Sequence, residues 1–219
     1  MKNKWYFFSY LLAGITTSGV LLLGAGELDT LYRSSMPASR VDNTNSIISG
    51  SACVGDNCTI IDVGGQDTKV ILVENGTVQD FLMNDKCSAG TGKFLEIMAN
   101  RLGITLQELF DMAESGTVLP ISSLCTVFAE SEVINYIGVG KNREDIAAGV
   151  VDSVASKVAQ LSQKKALSDK IILTGGLSHS TYFTRILSAK IRKTVEPTEN
   201  GRYAGALGAA LLAKEKKNK

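Results

Sequence analysis

At 219 residues, 44% hydrophobic and 21% charged, the chain is long enough to bury the core of one full domain or two small ones. A formal net charge of +1 points to neither a nucleic-acid surface nor an acidic polyanion as partner. The single histidine, His179, excludes a histidine-rich metal site, and four cysteines are too few for a disulfide framework.

In chain order, the first segment differs from the rest. After "MKNK", residues 5–26 carry no charge and approach the length that crosses a bilayer, with the lysines on the side that stays cytoplasmic. A signal peptide and a buried hairpin broken at Gly14 and Gly19 fit the same residues, so membrane contact is open. Residues 27–57 are rich in Ser, Asn, Asp and Gly without periodicity and read as an irregular linker. Cys53 and Cys58 fall in and beside a Gly/Asp/Asn turn and read as incidental thiols.

Order is predicted to begin at "CTIIDVGG" (58–65), an apolar strand ending in two glycines. Residues 68–83 form two further β-rich stretches joined at Asn75-Gly76, the preferred pair for a tight hairpin. Helices follow: residues 91–101; a segment opened by Thr105 with Glu108 in a capping box; an apolar segment over 124–137; and a long helix over 143–164. In the last, Ile146, Val150, Val154, Val158 and Leu161 make one apolar stripe. A strand over 169–176, a helix from His179 to Arg192 and an Ala-rich helix over 203–217 close the chain. Three strands, then helices, a strand and two helices predict an α/β mixed sheet with helices on its faces.

The string "CSAGTGKF" has the look of a phosphate loop but not its chemistry. Cys87 stands where the first glycine of G-x-x-x-x-G-K-[ST] is required, and Phe94 where the magnesium-binding hydroxyl belongs. "IIDVGGQDTK" is the better candidate. Asp62 ends a buried strand and can hold magnesium or orient a water, while Gly64 and Gly65 let backbone N–H groups approach phosphate. An ordinary Gly-Gly turn capped by Asp62 is the competing reading. Gly175 and Gly176 repeat the pattern at the end of "IILTGG", suited to a ring or ribose against the backbone.

Cys87 and Cys125 each stand just before a helix start, where N–H donors and the positive helix pole stabilise thiolate. Two such cysteines are half the ligand set of an iron–sulfur cluster, which a second copy of the chain would complete; buried structural thiols satisfy the same spacing.

Four stretches, "IIDVGGQDTKV", "NDKCSAGTGKFLEIMANRLG", "SSLCTVFAESEVI" and "ILTGGLSHS…GALGAALLA", together resemble the activator ATPases of 2-hydroxyacyl-CoA dehydratases. The related ATPase subunits of benzoyl-CoA reductase are similar, all within the BadF/BadG/BcrA/BcrD-type family. The likeness runs from Cys58 to Lys214. It implies the ribonuclease-H-like fold of acetate kinase, Hsp70 and actin. It also implies a cytoplasmic homodimer that shares one [4Fe–4S] cluster, two cysteines from each subunit, and that uses ATP and Mg2+. The electron source implied is reduced ferredoxin or flavodoxin, and the recipient a CoA-ester dehydratase or reductase component. By position, Cys87 and Cys125 match the cluster ligands. Asp62, Gly64, Gly65 and Gln66 match the second phosphate motif, with Asp62 and Gln66 in catalytic roles, and Gly175 and Gly176 match the adenosine motif.

The fold's first phosphate motif, Asp-x-Gly-Ser/Thr followed by a Lys, has no counterpart in residues 1–57. The N-terminal lobe is therefore expected to be missing or replaced, with ATP turnover by this chain in question. A truncated nucleotide- or cluster-binding module is the alternative, and a sugar- or acetate-kinase-like phosphotransferase a third reading that the paired cysteines disfavour. Glu130 and Glu132, just after Cys125 on an expected helix, are placed either to approach the nucleotide or the partner or to serve capping or solvated roles.

Overall fold

The computed structural model describes residues 57–84, 88–122 and 125–217, with side chains to residue 214. The expectations for residues 1–56, and the placement of Cys53 and Cys87, lie outside the described residues.

Strands β1 (Cys58–Val63), β2 (Thr68–Glu74) and β3 (Thr77–Asn84) form the antiparallel meander that the sequence predicts. Asn75 and Gly76 link β2 to β3 with φ of 50° and 71°, the left-handed pair of a type I′ turn. Strand β4 (Ile171–Gly175) pairs in parallel with β1, and β5 (Val195–Pro197) in parallel with β4, so the sheet order is β3-β2-β1-β4-β5. The sequence reading did not anticipate β5. It is three residues long, ends in a proline and has one buried side chain, Val195, too little pattern to register as a strand.

Parallel strands need a long crossover, and here four helices supply it between β1 and β4: α1 (Gly92–Leu102), α2 (Leu106–Ser115), α3 (Thr126–Gly138) and α4 (Arg143–Ser162). The α2 start is the predicted capping box. Thr105 accepts from the Glu108 N–H, and the Glu108 carboxylate accepts from the Thr105 N–H at 2.7 Å. That pairing holds the Glu108 carboxyl below its ordinary pKa. The helix predicted from His179 to Arg192 is α5 (Thr181–Ile191), preceded by a 3₁₀ turn over Gly176–His179. The break falls at Ser180, whose hydroxyl accepts from the Phe183 N–H at 3.1 Å and so restarts the helix as its N-cap. A second 3₁₀ turn (Gly201–Tyr203) leads into α6 (Ala204–Lys217).

One face of the sheet carries the main core. Ile61, Val63, Ile171 and Leu173 meet Phe94, Leu95 and Met98 of α1, the buried face of α4, and Phe183 and Leu187 of α5. Ile146, Val150, Val154 and Val158 of the predicted α4 stripe are buried, and Leu161 is half-buried. Each large apolar side chain so buried contributes about 1.5–3 kcal/mol. The opposite face carries a smaller apolar group, Cys58, Ile60, Ile71, Val73 and Ile172, with Val78 and Phe81 beside it. Beyond Ile60, on that same face, lies the polar end of β1.

Candidate functional site

Side chains alternate across a strand, so Asp62 shares a face with Ile60, and the register sets its neighbours. Asp62 pairs with Lys69 on β2 and with Thr174 on β4. All three are buried, an acid, a base and a hydroxyl in one row across the sheet. The Thr174 hydroxyl donates to Asp62 Oδ1 at 2.7 Å. Burial pushes the Asp62 carboxyl above its ordinary pKa, opposed by the Lys69 charge and the Thr174 hydrogen bond, with Asp67 reinforcing the rise. An arriving cation would reverse the balance, because it supplies the charge that burial withholds.

Directly after β1 the chain turns. The Gly64 N–H donates to the Asp67 carbonyl at 2.9 Å, closing the segment Gly64–Asp67. The first two N–H groups of α1 cap this turn: Gly92 donates to the Gly64 carbonyl at 2.9 Å and Lys93 to the Gly65 carbonyl at 2.7 Å. Gly65 and Gln66 are exposed, and nothing lies within 4 Å of where a Gly65 Cβ would stand. Gly175 plays a different part. Its φ is +84°, and a Cβ there would lie 2.3 Å from the Val63 carbonyl oxygen, so a glycine is required for β4 to approach β1. Its neighbour Gly176 is exposed and faces open space.

The segment ahead of α1 is held from several sides. The Thr68 hydroxyl donates to the Gly90 carbonyl at 2.7 Å, and the Asn84 amide to the Ala89 carbonyl at 2.8 Å. The Ser88 and Thr126 hydroxyls share a hydrogen bond of 2.7 Å across 38 residues of sequence. Ser88 follows Cys87 and Thr126 follows Cys125, so the two cysteine-bearing loops converge. Cys125 itself is a free thiol, half-exposed, at the extended N-cap position of α3 without a side-chain cap bond. Cys58 is disulfide-bonded, with its partner sulfur outside the described residues, which corrects its reading as an incidental thiol; the 0% exposure of its side chain at the head of β1 gives it a fixed setting.

Glu130 and Glu132 have structural partners. Glu130 pairs with Arg101 of α1 at 2.5 Å, and Glu132 accepts from the Ser122 N–H at 2.6 Å. His179 is exposed at the end of its 3₁₀ turn, beyond Gly176. Lys69 and Thr174 received no role from the sequence, although both lie in quoted motifs. Only strand register brings them to Asp62, and register is invisible until the partners of β1 are known.

A strand-end acid, a glycine turn capped by a helix and a second glycine strand end lie together on a β3-β2-β1-β4-β5 mixed sheet, the architecture of the ribonuclease-H-like ATPase fold. The BadF/BadG/BcrA/BcrD ATPase family profile matches residues 14–213, beginning well before the Cys58 at which the quoted motifs start. The chain belongs to this family. It is 45% identical over 159 residues to the (R)-2-hydroxyglutaryl-CoA dehydratase activating ATPase of Acidaminococcus fermentans, covering 72% of this chain and 61% of that one. With the activator of lactoyl-CoA dehydratase from Anaerotignum propionicum it shares 46% over 159 residues, again 72% and 61%. In structure it is similar to the ADPNP-bound activator of 2-hydroxyisocaproyl-CoA dehydratase from Clostridium difficile. That match has a TM-score of 0.74 and 36% identity, covering 80% of this chain and 68% of the other. The chain thus spans 61% of the length of each of the first two relatives. Among the described residues, no helix is long and apolar enough to cross a membrane.

Proposed function

We propose that this chain is an ATP-dependent, iron–sulfur electron-transfer activator that reduces a 2-hydroxyacyl-CoA dehydratase or benzoyl-CoA reductase-type partner in the cytoplasm. The observation that carries the reading is the Ser88–Thr126 hydrogen bond. It draws the segment after Cys87 and the start of α3 after Cys125 together, beside a helix whose N-terminus is bonded to the glycine turn. Family membership supports the nucleotide half of the reading, with Asp62 and Gln66 acting on Mg2+-ATP at the turn and Gly175 and Gly176 on the adenosine side.

The donor chemistry at Cys125 fits a [4Fe–4S] cluster: a half-exposed, uncapped thiol at a helix N-terminus, where backbone N–H donors suit cluster sulfur. Cys87 and Cys125 from each of two subunits would hold the group, which supplies a one-electron carrier when bound. The outer side of α3 supports a second copy as occupant. Only Ala129 and Val133 of α3 are buried, while Val127, Phe128, Ile134 and Ile137 are 66%, 65%, 53% and 44% exposed, a stripe running on from Cys125. A surface continuous with half a ligand set is suited to the copy that brings the other half. Reduced ferredoxin or flavodoxin is the electron source proposed.

Anaerobic reconstitution tests this directly, with iron, sulfide and the EPR spectrum of the reduced protein read per dimer. About four irons are expected, lost in Cys87→Ser and Cys125→Ser. Iron no higher than in those variants overturns the cluster reading. With iron present, ATP turnover then separates a working activator from a cluster-binding module without hydrolysis.

A further inference from the structure

Lys69 occupies an unusual position. Lysine is among the residues least often buried, and an ammonium out of water needs a partner. Here the side chain is 6% exposed, near the start of β2, directly across from Asp62. Its ammonium lies 2.8 Å from Asp67 Oδ2, and the Asp67 side chain is itself 37% exposed. The other Asp67 oxygen, Oδ1, stands 2.9 Å from where a Gly64 Cβ would be. The carboxylate that holds Lys69 therefore rests against the glycine turn.

The direction of the turn follows from covalent geometry. The peptide bonds of this turn are trans, so each carbonyl oxygen points opposite to the next N–H. The carbonyls of Gly64 and Gly65 point at α1, since they accept from Gly92 and Lys93. The N–H groups of Gly65 and Gln66 accordingly point away from α1. Asp62 and Lys69 also lie on the sheet face away from α1, with Ile60 and Ile71 rather than with Ile61 and Val63. Two backbone donors, an ammonium and a carboxylate thus address the same side of the sheet, and the ammonium is held by the half-exposed Asp67.

We propose that Lys69 is the phosphate-binding cation of this turn. When a nucleoside triphosphate seats on the Gly65 and Gln66 N–H groups, the Lys69 ammonium exchanges Asp67 for a terminal phosphate oxygen. The exchange makes and breaks only an ion pair. Asp62 would hold the metal that neutralises phosphate charge when nucleotide binds, and Lys69 stands opposite Asp62. Lys69 therefore gives the site its preference for tri- over diphosphate. Asp67 serves as the resting partner that keeps the buried ammonium paired. This inference rests on the nucleotide reading above.

Calorimetric titration with Mg2+-ATP and Mg2+-ADP tests it on the full chain without requiring hydrolysis. Lys69→Met is expected to weaken ATP binding about tenfold or more, the loss of one charge-assisted contact, while ADP binding changes by less than about threefold. Lys69→Arg is expected to restore most of the preference. Asp67→Asn removes the competing carboxylate at a half-exposed position and is expected to tighten ATP binding, which keeps the test open if Lys69→Met fails to fold. An unchanged ATP-to-ADP ratio in Lys69→Met, or unchanged or weaker ATP binding in Asp67→Asn, overturns the role of Lys69. Wild-type protein that binds neither nucleotide overturns the nucleotide reading itself, and this inference with it.

Discussion

Along β1, Ile61 and Val63 enter the core beneath α1, α4 and α5, whereas Ile60 and Asp62 face the other way. The first face is apolar at Ile61, Val63, Ile171 and Leu173 and packs against three helices. The second is apolar only as far as Ile60, then polar across three strands at Lys69, Asp62 and Thr174. One strand thus divides its residues between holding the fold and holding charge, and alternation keeps the two tasks from interfering. Buried charge is tolerable there because the helix face supplies the stability that Asp62 and Lys69 do not.

The largest expected effect lies on the helix face. Phe94→Ala, at 1% exposure, should cost about 3–5 kcal/mol by urea unfolding; a loss under about 1 kcal/mol would break the division of labour. Gly175→Ala comes next, at roughly 2 kcal/mol or more, because the new Cβ meets the Val63 carbonyl with φ at +84°. Its measured cost asks whether the seam between β1 and β4 is as rigid as the core. Thr105→Ala should cost about 1 kcal/mol by removing the α2 cap. Because Glu108 has a lowered carboxyl pKa, the contribution of that capping pair is full above its ordinary value of 4.5 and is lost as pH falls through the folded value. The gap between wild type and Thr105→Ala should therefore narrow in acid only by the share of the Thr105 hydroxyl bond to the Glu108 carboxylate, while the bond that hydroxyl accepts from the Glu108 N–H persists; a gap that closes entirely counts against the cap. Asp62→Asn sharpens the contrast most. It removes a buried charge at constant shape, so stability should hold or rise slightly at neutral pH, while Mg2+-ATP affinity falls at least about tenfold. A marked loss of stability would mean that Asp62 belongs to the scaffold.

Much of the local fold was readable in the sequence. Asn75-Gly76 specified its turn, Thr105 and Glu108 their cap, and the apolar stripe of α4 its buried side, because each signal lies within a few residues. Strand β5 escaped, since three residues beside a proline carry no periodicity. On the other face Asp62 and its glycines were legible as a motif, but the row they belong to was not. Lys69 reaches Asp62 through β1–β2 register, and Thr174 reaches it across 112 residues. Ser88 and Thr126 meet in the same non-local way. What the sequence withheld was pairing between distant segments, and that pairing assembles the site.

The two bonds from α1 to the glycine turn have an electrical consequence. In a helix, peptide groups line up head to tail, and the positive end emerges at the first free N–H donors. Here the carbonyls of Gly64 and Gly65 accept from the first two N–H groups of α1, which sets two further peptide groups in line ahead of the helix. Hydrogen-bonded chains of this kind polarise one another. The positive pole of α1 is thereby carried one peptide beyond Gly92 and surfaces at the Gly65 and Gln66 N–H groups, on the far side of the turn from the helix that generates it.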